Sequence, residues 1–438
     1  GVGATYAEAI WVPLGYLVSL SSFLLLFGRL ADLRGRKRVF TSGFAVFTLA
    51  TLMCALSSTP VELDAWRVVQ GAGAAMILSA SGAIITESYP RWERGKAFGY
   101  WSLAVYTGTT VGPVLGGAIV TARMILGLPS WRWVFMATVP PAAVGLALSA
   151  IRLRESRPPA RGRLDLAGGA LAFVGLWASL MGLTVGSFVG WSAPYEALLA
   201  AGILIIAAFI LWEARAGSQA LLDLSMFRSV SFSMGNLAAL LNYSGYFFVP
   251  FFLSYYMIEV LGMRPVLASV PLLALSLTMV TISPISGWAS DRLGARPLAT
   301  TGMALIALGL LQLSLLGDRA TLADITWRTL LIGVGMGLFS SPNTASVMGS
   351  APRDRLAVAS ATLSVMRFTG QSLSVALAGA LAAAYIPRPV LIDVFTGLRT
   401  QSVQVAGPVF VEGLRGVYWV MAILVIIGAL ASAMRGHR

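Results

Sequence analysis

Charge is scarce in this sequence: Asp, Glu, Lys and Arg make up 11% of its 438 residues, less than half the share that solvates an ordinary soluble domain. Cysteine and histidine each occur once, as Cys54 and His437. A lone cysteine excludes an intramolecular disulfide framework, and Cys54 lies in an apolar run as a small core residue does. One histidine in the tail excludes a histidine-based metal centre and gives a Ser–His–Asp arrangement no place within the apolar segments. Lysine is also rare, with only Lys37 and Lys96 among the 31 basic residues. Neither stands in a Gly-x-x-x-x-Gly-Lys-Ser/Thr loop, which excludes ATP-driven chemistry of that kind. The expectation is a protein with no metal, no cofactor and no catalytic activity.

Apolar residues fill the gap: they make up 57% of the chain, and mean hydropathy is +0.80. Two or three soluble domains would fit the length, but not without polar faces. The chain therefore reads as an integral membrane protein. Its formal charge of +13 does not indicate nucleic acid, because the basic residues fall in short loops between apolar runs instead of on one face.

A membrane helix needs about 20 mostly apolar residues. Thirteen candidate spans are present: 9–29, 39–57, 62–87, 96–120, 133–152, 166–187, 196–213, 231–258, 266–289, 298–316, 328–349, 357–385 and 414–434. Lipid offers the backbone no hydrogen-bond partner, so such runs must be helical. The loops starting at 29, 88, 152, 214, 290 and 350, together with the C-terminus, hold 21 of the 31 basic residues, and the alternate loops hold 8. By the positive-inside rule the first set is cytoplasmic, the C-terminus included. The excess of Arg over Lys fits a GC-rich bacterial genome and hence a bacterial plasma membrane.

The sequence repeats. Gly28-Arg-Leu-Ala-Asp32-Leu-Arg-Gly35-Arg36-Lys37 recurs as Gly287-Trp-Ala-Ser-Asp291-Arg-Leu-Gly294-Ala-Arg296, with the same Gly–Asp–Gly spacing. Spans 9–29, 62–87 and 96–120 then map onto 266–289, 328–349 and 357–385. Span 231–258 would map onto a partner ahead of residue 1, so fourteen spans are expected, thirteen of them in this sequence. The pair 166–187 and 196–213 has no counterpart and follows a polar linker, Arg152–Arg163. The longest outer loop spans residues 386–412. The expected fold is an all-α integral membrane bundle of two pseudo-symmetric halves of six helices plus a central helix pair. Its expected divisions are 1–152, 153–230 and 231–438. Secondary transporters are built from such internal repeats.

The segment from Gly28 to Lys37 resembles the signature loop between the second and third helices of the major facilitator superfamily. Gly28 lets two helices approach closely; Asp32 can cap a neighbouring helix N-terminus and pair with Arg, and the basic cluster meets the aqueous side. The resemblance implies a conformational latch built from Gly28, Asp32, Gly35, Arg36 and Lys37, with Gly287, Asp291, Gly294 and Arg296 as its second copy. Asp64 and Arg67, with Gln70 and Gly71, resemble the superfamily's fourth-helix motif. Arg67 lies roughly 8 Å from its helix end at about 1.5 Å per residue, where a charge faces a cavity or a partner. Arg67 and Asp64 are the candidates for proton coupling. No midplane carboxylate is visible within the spans, since Glu8, Glu62 and Asp64 lie near the outer edge and Glu87 near the inner. The resemblance therefore places the coupling carboxylate in the span ahead of residue 1, with Asp64 as the alternative.

Gly108, Gly112, Pro113, Gly116 and Gly117 resemble the fifth-helix antiporter motif. Such glycines let another helix pack on the backbone, and an internal proline bends the helix, a combination expected of a hinge and leak barrier. Trp131–Phe135 with Val139-Pro140, the central pair and Met366–Gln371 are similar to the fourteen-span drug:proton antiporter family. Arg367 lies near the midplane with Gln371 one turn on, where an ionisable residue is a functional candidate by default. Asn242 and Tyr246 share a face of an aromatic-rich span; with Tyr16, Arg367 and Gln371 they are the candidate lining of the substrate cavity. A cavity showing both Arg67 and Arg367 would favour anions or zwitterions over cations. The resemblance implies a proton-coupled exporter of small amphipathic compounds such as drugs or antibiotics, working by alternating access as a monomer in the lipid bilayer, without nucleic acid. The alternatives are export of one specific metabolite, lipid or siderophore, or a non-transporting sensor.

Overall fold

A computed structural model describes residues 6–121, 124–155, 164–387, 390 and 407–435. The outer loop expected at 386–412, most of the polar linker and the tail with His437 lie largely or wholly outside the described residues. Fifteen helices are described. They are α1 (Tyr6–Arg34), α2 (Arg36–Leu56), α3 (Pro60–Ser88), α4 (Arg94–Val120), α5 (Ser130–Met136), α6 (Val139–Arg152), α7 (Leu166–Val189), α8 (Ala193–Ala216), α9 (Val230–Tyr246), α10 (Val249–Tyr255), α11 (Pro265–Leu293), α12 (Ala295–Leu313), α13 (Leu322–Ser350), α14 (Leu356–Ala382) and α15 (Gly407–Ala433). Twelve helical segments are long and apolar enough to cross a membrane. The α14 helix, at 27 residues, carries Arg367 and Gln371 within its length, and most of its residues are buried.

Two of the expected spans are broken. The run 133–152 is split into α5 and α6, since Pro140 and Pro141 lack N–H groups and fit only in a helix's first turn. The run 231–258 divides into α9, α10 and a π-turn at Tyr256–Val260. At that break Phe248 N–H donates to the Ser374 hydroxyl of α14 (3.0 Å), which keeps it bonded inside the bundle. A two-residue hairpin, Met124–Ile125 against Leu128–Pro129, precedes α5.

Within the first half α3 packs against α1 and α2; in the second, α13 packs against α11 and α12, as the sequence repeat requires. The halves meet where α1 and α3 touch α14, and where α4 touches α11 and α13. The inserted pair α7 and α8 packs together, and α7 leans on both α1 and α14, with the Phe173 ring tilted 4.6 Å from that of Phe23.

Candidate functional site

Close backbone approach at one end of the bundle brings together the residues expected to form a latch. A Cβ at Gly28 would stand 2.8 Å from Ala361 Cβ and 2.9 Å from the Ala357 carbonyl, so α1 and α14 meet at van der Waals contact only because Gly28 is there. The Asp32 carboxylate, one turn on, is thereby delivered to the N-terminus of α14. Fully buried, it accepts the N–H of Ala357 (3.1 and 3.0 Å to its two oxygens) and of Val358 (3.0 Å). These are first-turn donors that the helix itself leaves unsatisfied, and they carry the positive end of its dipole. Arg36 completes the pair, donating to Asp32 Oδ1 from Nε (3.1 Å) and Nη2 (2.8 Å). It also donates to the Arg353 carbonyl at 2.7 Å and lies 2.9 Å from Glu87.

The second copy of the motif makes the reciprocal contact. Asp291, on α11, accepts the N–H of Gly95 (2.7 Å) and Lys96 (2.9 Å) at the start of α4. Gly287 lies against the backbone of Gly95 and Gly99 as Gly28 lies against Ala357. Each half thus places a carboxylate on a helix N-terminus of the other. Ala295 stands where Arg36 does, and Asp291 is half-buried, so the second contact is the weaker in charge. Gly35 and Gly294 take φ of +112° and +83° to turn the chain into the next helix, a region closed to most side chains. Lys37 donates its amine to the Ala150 carbonyl (2.8 Å), and Arg296 stands in the first turn of α12. Sequence reasoning missed Glu155, which accepts the N–H groups of Lys37 and Arg38, each at 3.2 Å, at the start of α2. Its signal is weak, a single acid in a basic linker.

Arg67 forms a second cluster, inside the first half. Its Nε donates to the Val12 carbonyl (2.8 Å) and its Nη1 to Gln70 Oε1 (2.5 Å), while Gln70 donates on to the Thr51 hydroxyl (2.7 Å). The guanidinium lies 4.5 Å over the Tyr16 ring. Gly71, against the Tyr16 and Leu20 backbone, brings α3 close enough for this. Tyr16 therefore sits beneath Arg67 and not with Arg367 in the central cluster, a correction to the expected lining. Asp64 lies one turn before Arg67 on α3 and is half-buried.

Arg367, midway along α14, centres a third cluster that straddles the halves. It donates to the Thr344 hydroxyl of α13, and its guanidinium lies 5.4 Å from the Trp101 ring of α4 and 5.9 Å from the Tyr243 ring of α9. Gly370 permits this, since a Cβ there would meet the Leu240 carbonyl at 2.6 Å. Tyr246 stacks 5.7 Å from Tyr243, and Tyr106 shares the electrostatic surroundings of Arg367, Tyr243 and Tyr246. Gln371 follows one turn on, half-buried. Trp101, Tyr106 and Thr344 were not legible as site residues. Only Ser102 and Tyr106, one turn apart on α4, hint at them.

Two expectations are corrected here. Asn242 is fully buried inside the second half, its amide donating to Met336 Sδ of α13 at 3.1 Å. Around Gly108, Gly112, Gly116 and Gly117 nothing described comes within 4 Å of an added Cβ. The helix runs unbroken through Pro113, so no close helix–helix packing forms on that motif among the described residues.

The Major Facilitator Superfamily profile matches residues 1–375 and again 235–436, the overlap reflecting the internal repeat. The chain belongs to that superfamily; it is a multi-pass membrane transporter, not an enzyme. It is 34% identical over 376 residues to the cephamycin export protein CmcT of Amycolatopsis lactamdurans, covering 84% of this chain and 76% of that one. It is 28% identical over 377 residues to the multidrug resistance protein Stp of Mycobacterium tuberculosis, covering 86% and 69%. Among solved structures, the proton:xylose symporter XylE superposes with TM-score 0.63 at 16% identity, covering 98% of this chain and 87% of that chain. The human organic anion transporter MFSD10 superposes with TM-score 0.65 at 15% identity, covering 97% and 83%. At these identities the structural likeness defines the fold.

Proposed function

We propose that the protein is a proton-coupled exporter of small amphipathic compounds such as drugs or antibiotics, of the fourteen-span antiporter type, working by alternating access as a monomer in the bacterial plasma membrane. The observation that carries this is the reciprocal latch: Asp32 on Ala357 and Val358, Asp291 on Gly95 and Lys96. Contacts of this kind join two rigid halves at one end and are broken when the halves rock. The excess of basic residues at that end supports a cytoplasmic position for it, and the contacts there support a cytoplasm-closed state. The cluster around Arg367 lies above the latch between the halves, where alternating access needs its substrate site. Arg67, held over Tyr16 and bonded to Val12, is placed to bias the protonation of a carboxylate such as Asp64. Relatives whose names state multidrug resistance and cephamycin export support an exporter of such compounds.

The test is transport in liposomes containing the purified protein, with an imposed pH gradient and a panel of amphiphiles that includes ethidium. Gradient-dependent flux that a protonophore abolishes is expected. Flux of no panel member, or flux indifferent to the gradient, overturns the proposal.

A further inference from the structure

The environment of Arg367 specifies the charge of what binds there. Its guanidinium donates to one neutral hydroxyl, Thr344, and its Nε is buried without a hydrogen-bond partner. No carboxylate of the described residues lies within 4.0 Å of it. Arg36 shows the contrast, since a comparably interior guanidinium is there matched by Asp32 and Glu87. Arg67 in turn has a carbonyl and an amide oxygen as acceptors. A guanidinium has five donors in a planar fork suited to a two-oxygen anion, and at Arg367 most of that capacity is unspent.

The walls add a second constraint. Trp101 and Tyr243 flank the guanidinium within 6 Å, and the buried Tyr106 hydroxyl lies beside Ser340 within the same cluster. A flat aromatic ligand would pack against the edges of these rings while its acidic group meets Arg367. Aromatic faces also attract cations, but here Arg367 already occupies them. A cationic ligand would face its positive charge with no carboxylate nearby to offset it. Both halves contribute, Trp101 and Tyr106 from the first, Tyr243, Thr344 and Arg367 from the second. Ligand binding therefore draws on the interface that moves.

We propose that this site recognises planar aromatic anions, compounds carrying a carboxylate or ionised phenol on a fused ring system, with Arg367 as the anion-binding residue. This rests on the reading of the cluster as the substrate site, but its test needs neither a proton gradient nor flux.

The experiment is equilibrium binding to the purified full chain in detergent, followed by dye anisotropy. The probes are fluorescein and rhodamine 6G, which share a three-ring scaffold and differ in charge. Fluorescein is expected to bind at least tenfold more tightly than rhodamine 6G to the unaltered protein. Arg367→Gln should lower fluorescein affinity at least tenfold and leave rhodamine 6G within twofold, with Arg367→Lys intermediate for fluorescein. Equal or tighter binding of rhodamine 6G, no fluorescein binding, or an equal loss of both dyes in Arg367→Gln would each overturn the proposal. The comparison of dyes on the unaltered protein stands even if a variant fails to fold. A protein that binds fluorescein as expected but shows no gradient-driven flux would fail the transport proposal alone.

Discussion

Asp32 and Ala357 are 325 residues apart in the chain, yet the Asp32 carboxylate accepts the Ala357 N–H with both of its oxygens, at 3.1 and 3.0 Å. One bond pair thus ties the end of the first half's α1 to the start of the second half's α14. The counterpart, Asp291 with Gly95 at 2.7 Å, spans 196 residues in the opposite sense. The two differ in charge, because Arg36 neutralises Asp32 whereas Ala295 holds the equivalent place beside Asp291.

Asp32→Asn removes the charge that Arg36 and the α14 N-terminus both face. Removing one member of a buried pair costs about 3 kcal/mol or more, and the cost falls on the latched state. Transport is expected to drop at least tenfold. Spin labels at the exposed positions Arg34 and Arg353, in a Cys54→Ser background, should report a longer distance distribution. Asp291→Asn should do less. Equal effects of the two variants would refute the asymmetry.

Gly28→Val tests the close approach itself. Its side chain would collide with the Ala357 carbonyl and Ala361, so the latch end should be held open and transport lost while membrane insertion stays normal. Gly349→Val, where nothing lies within 4 Å of the new Cβ, is the control and should transport normally. The labels at Arg34 and Arg353 distinguish a propped-open protein from one that is merely unstable.

Arg67→Ala empties the cluster over Tyr16 and strands Gln70. If Arg67 assists proton coupling, efflux of fluorescein from expressing cells loses its sensitivity to a protonophore along with most of its rate. Arg67→Lys should restore little, since one ammonium cannot serve the Val12 carbonyl and Gln70 in the same planar geometry. Efflux by Arg67→Ala that is as fast and as protonophore-sensitive as in the unaltered protein removes Arg67 from the mechanism.

Glu213, at the end of α8, is buried and accepts the Leu222 N–H at 2.9 Å. The segment it holds is the one whose Ala220 carbonyl accepts Arg355 Nη1 at 2.7 Å, immediately before α14. Glu213→Ala leaves the Leu222 donor buried and unbonded, a loss of about 1–3 kcal/mol. Glu213→Gln keeps an acceptor and should recover most of it. Thermal unfolding in detergent checks both. A melting temperature in Glu213→Ala equal to that of the unaltered protein would mean the bond carries no stability.

Much of the architecture was legible. Long apolar runs mark the helices, and the duplicated Gly–Asp–Gly loop marks the two halves. Asp32 was readable as a helix cap and a partner for Arg because an acid between a helix end and a basic cluster has few other uses. What was not readable was the identity of the capped helix. The spans 133–152 and 231–258 hold as spans, but the proline breaks inside them were not read, because hydropathy is blind to a missing N–H. Asn242 was misplaced because a helical face, known only as a face, does not say whether it meets a cleft or a neighbour. Trp101 and Thr344 went unseen for the same reason.

The sequence by itself determined the membrane spans, their alternation of charged loops and the twofold repeat. These depend on local quantities: the cost of polar groups in hydrocarbon, summed over about 20 residues at a time, and on a pattern that recurs within the chain. Only the tertiary structure decided which helix ends Asp32 and Asp291 cap, and that Tyr16 lies under Arg67. It alone brought Trp101, Tyr243 and Thr344 around Arg367. Those outcomes depend on how closely glycine-lined backbones approach across helix pairs, and no single helix carries that information.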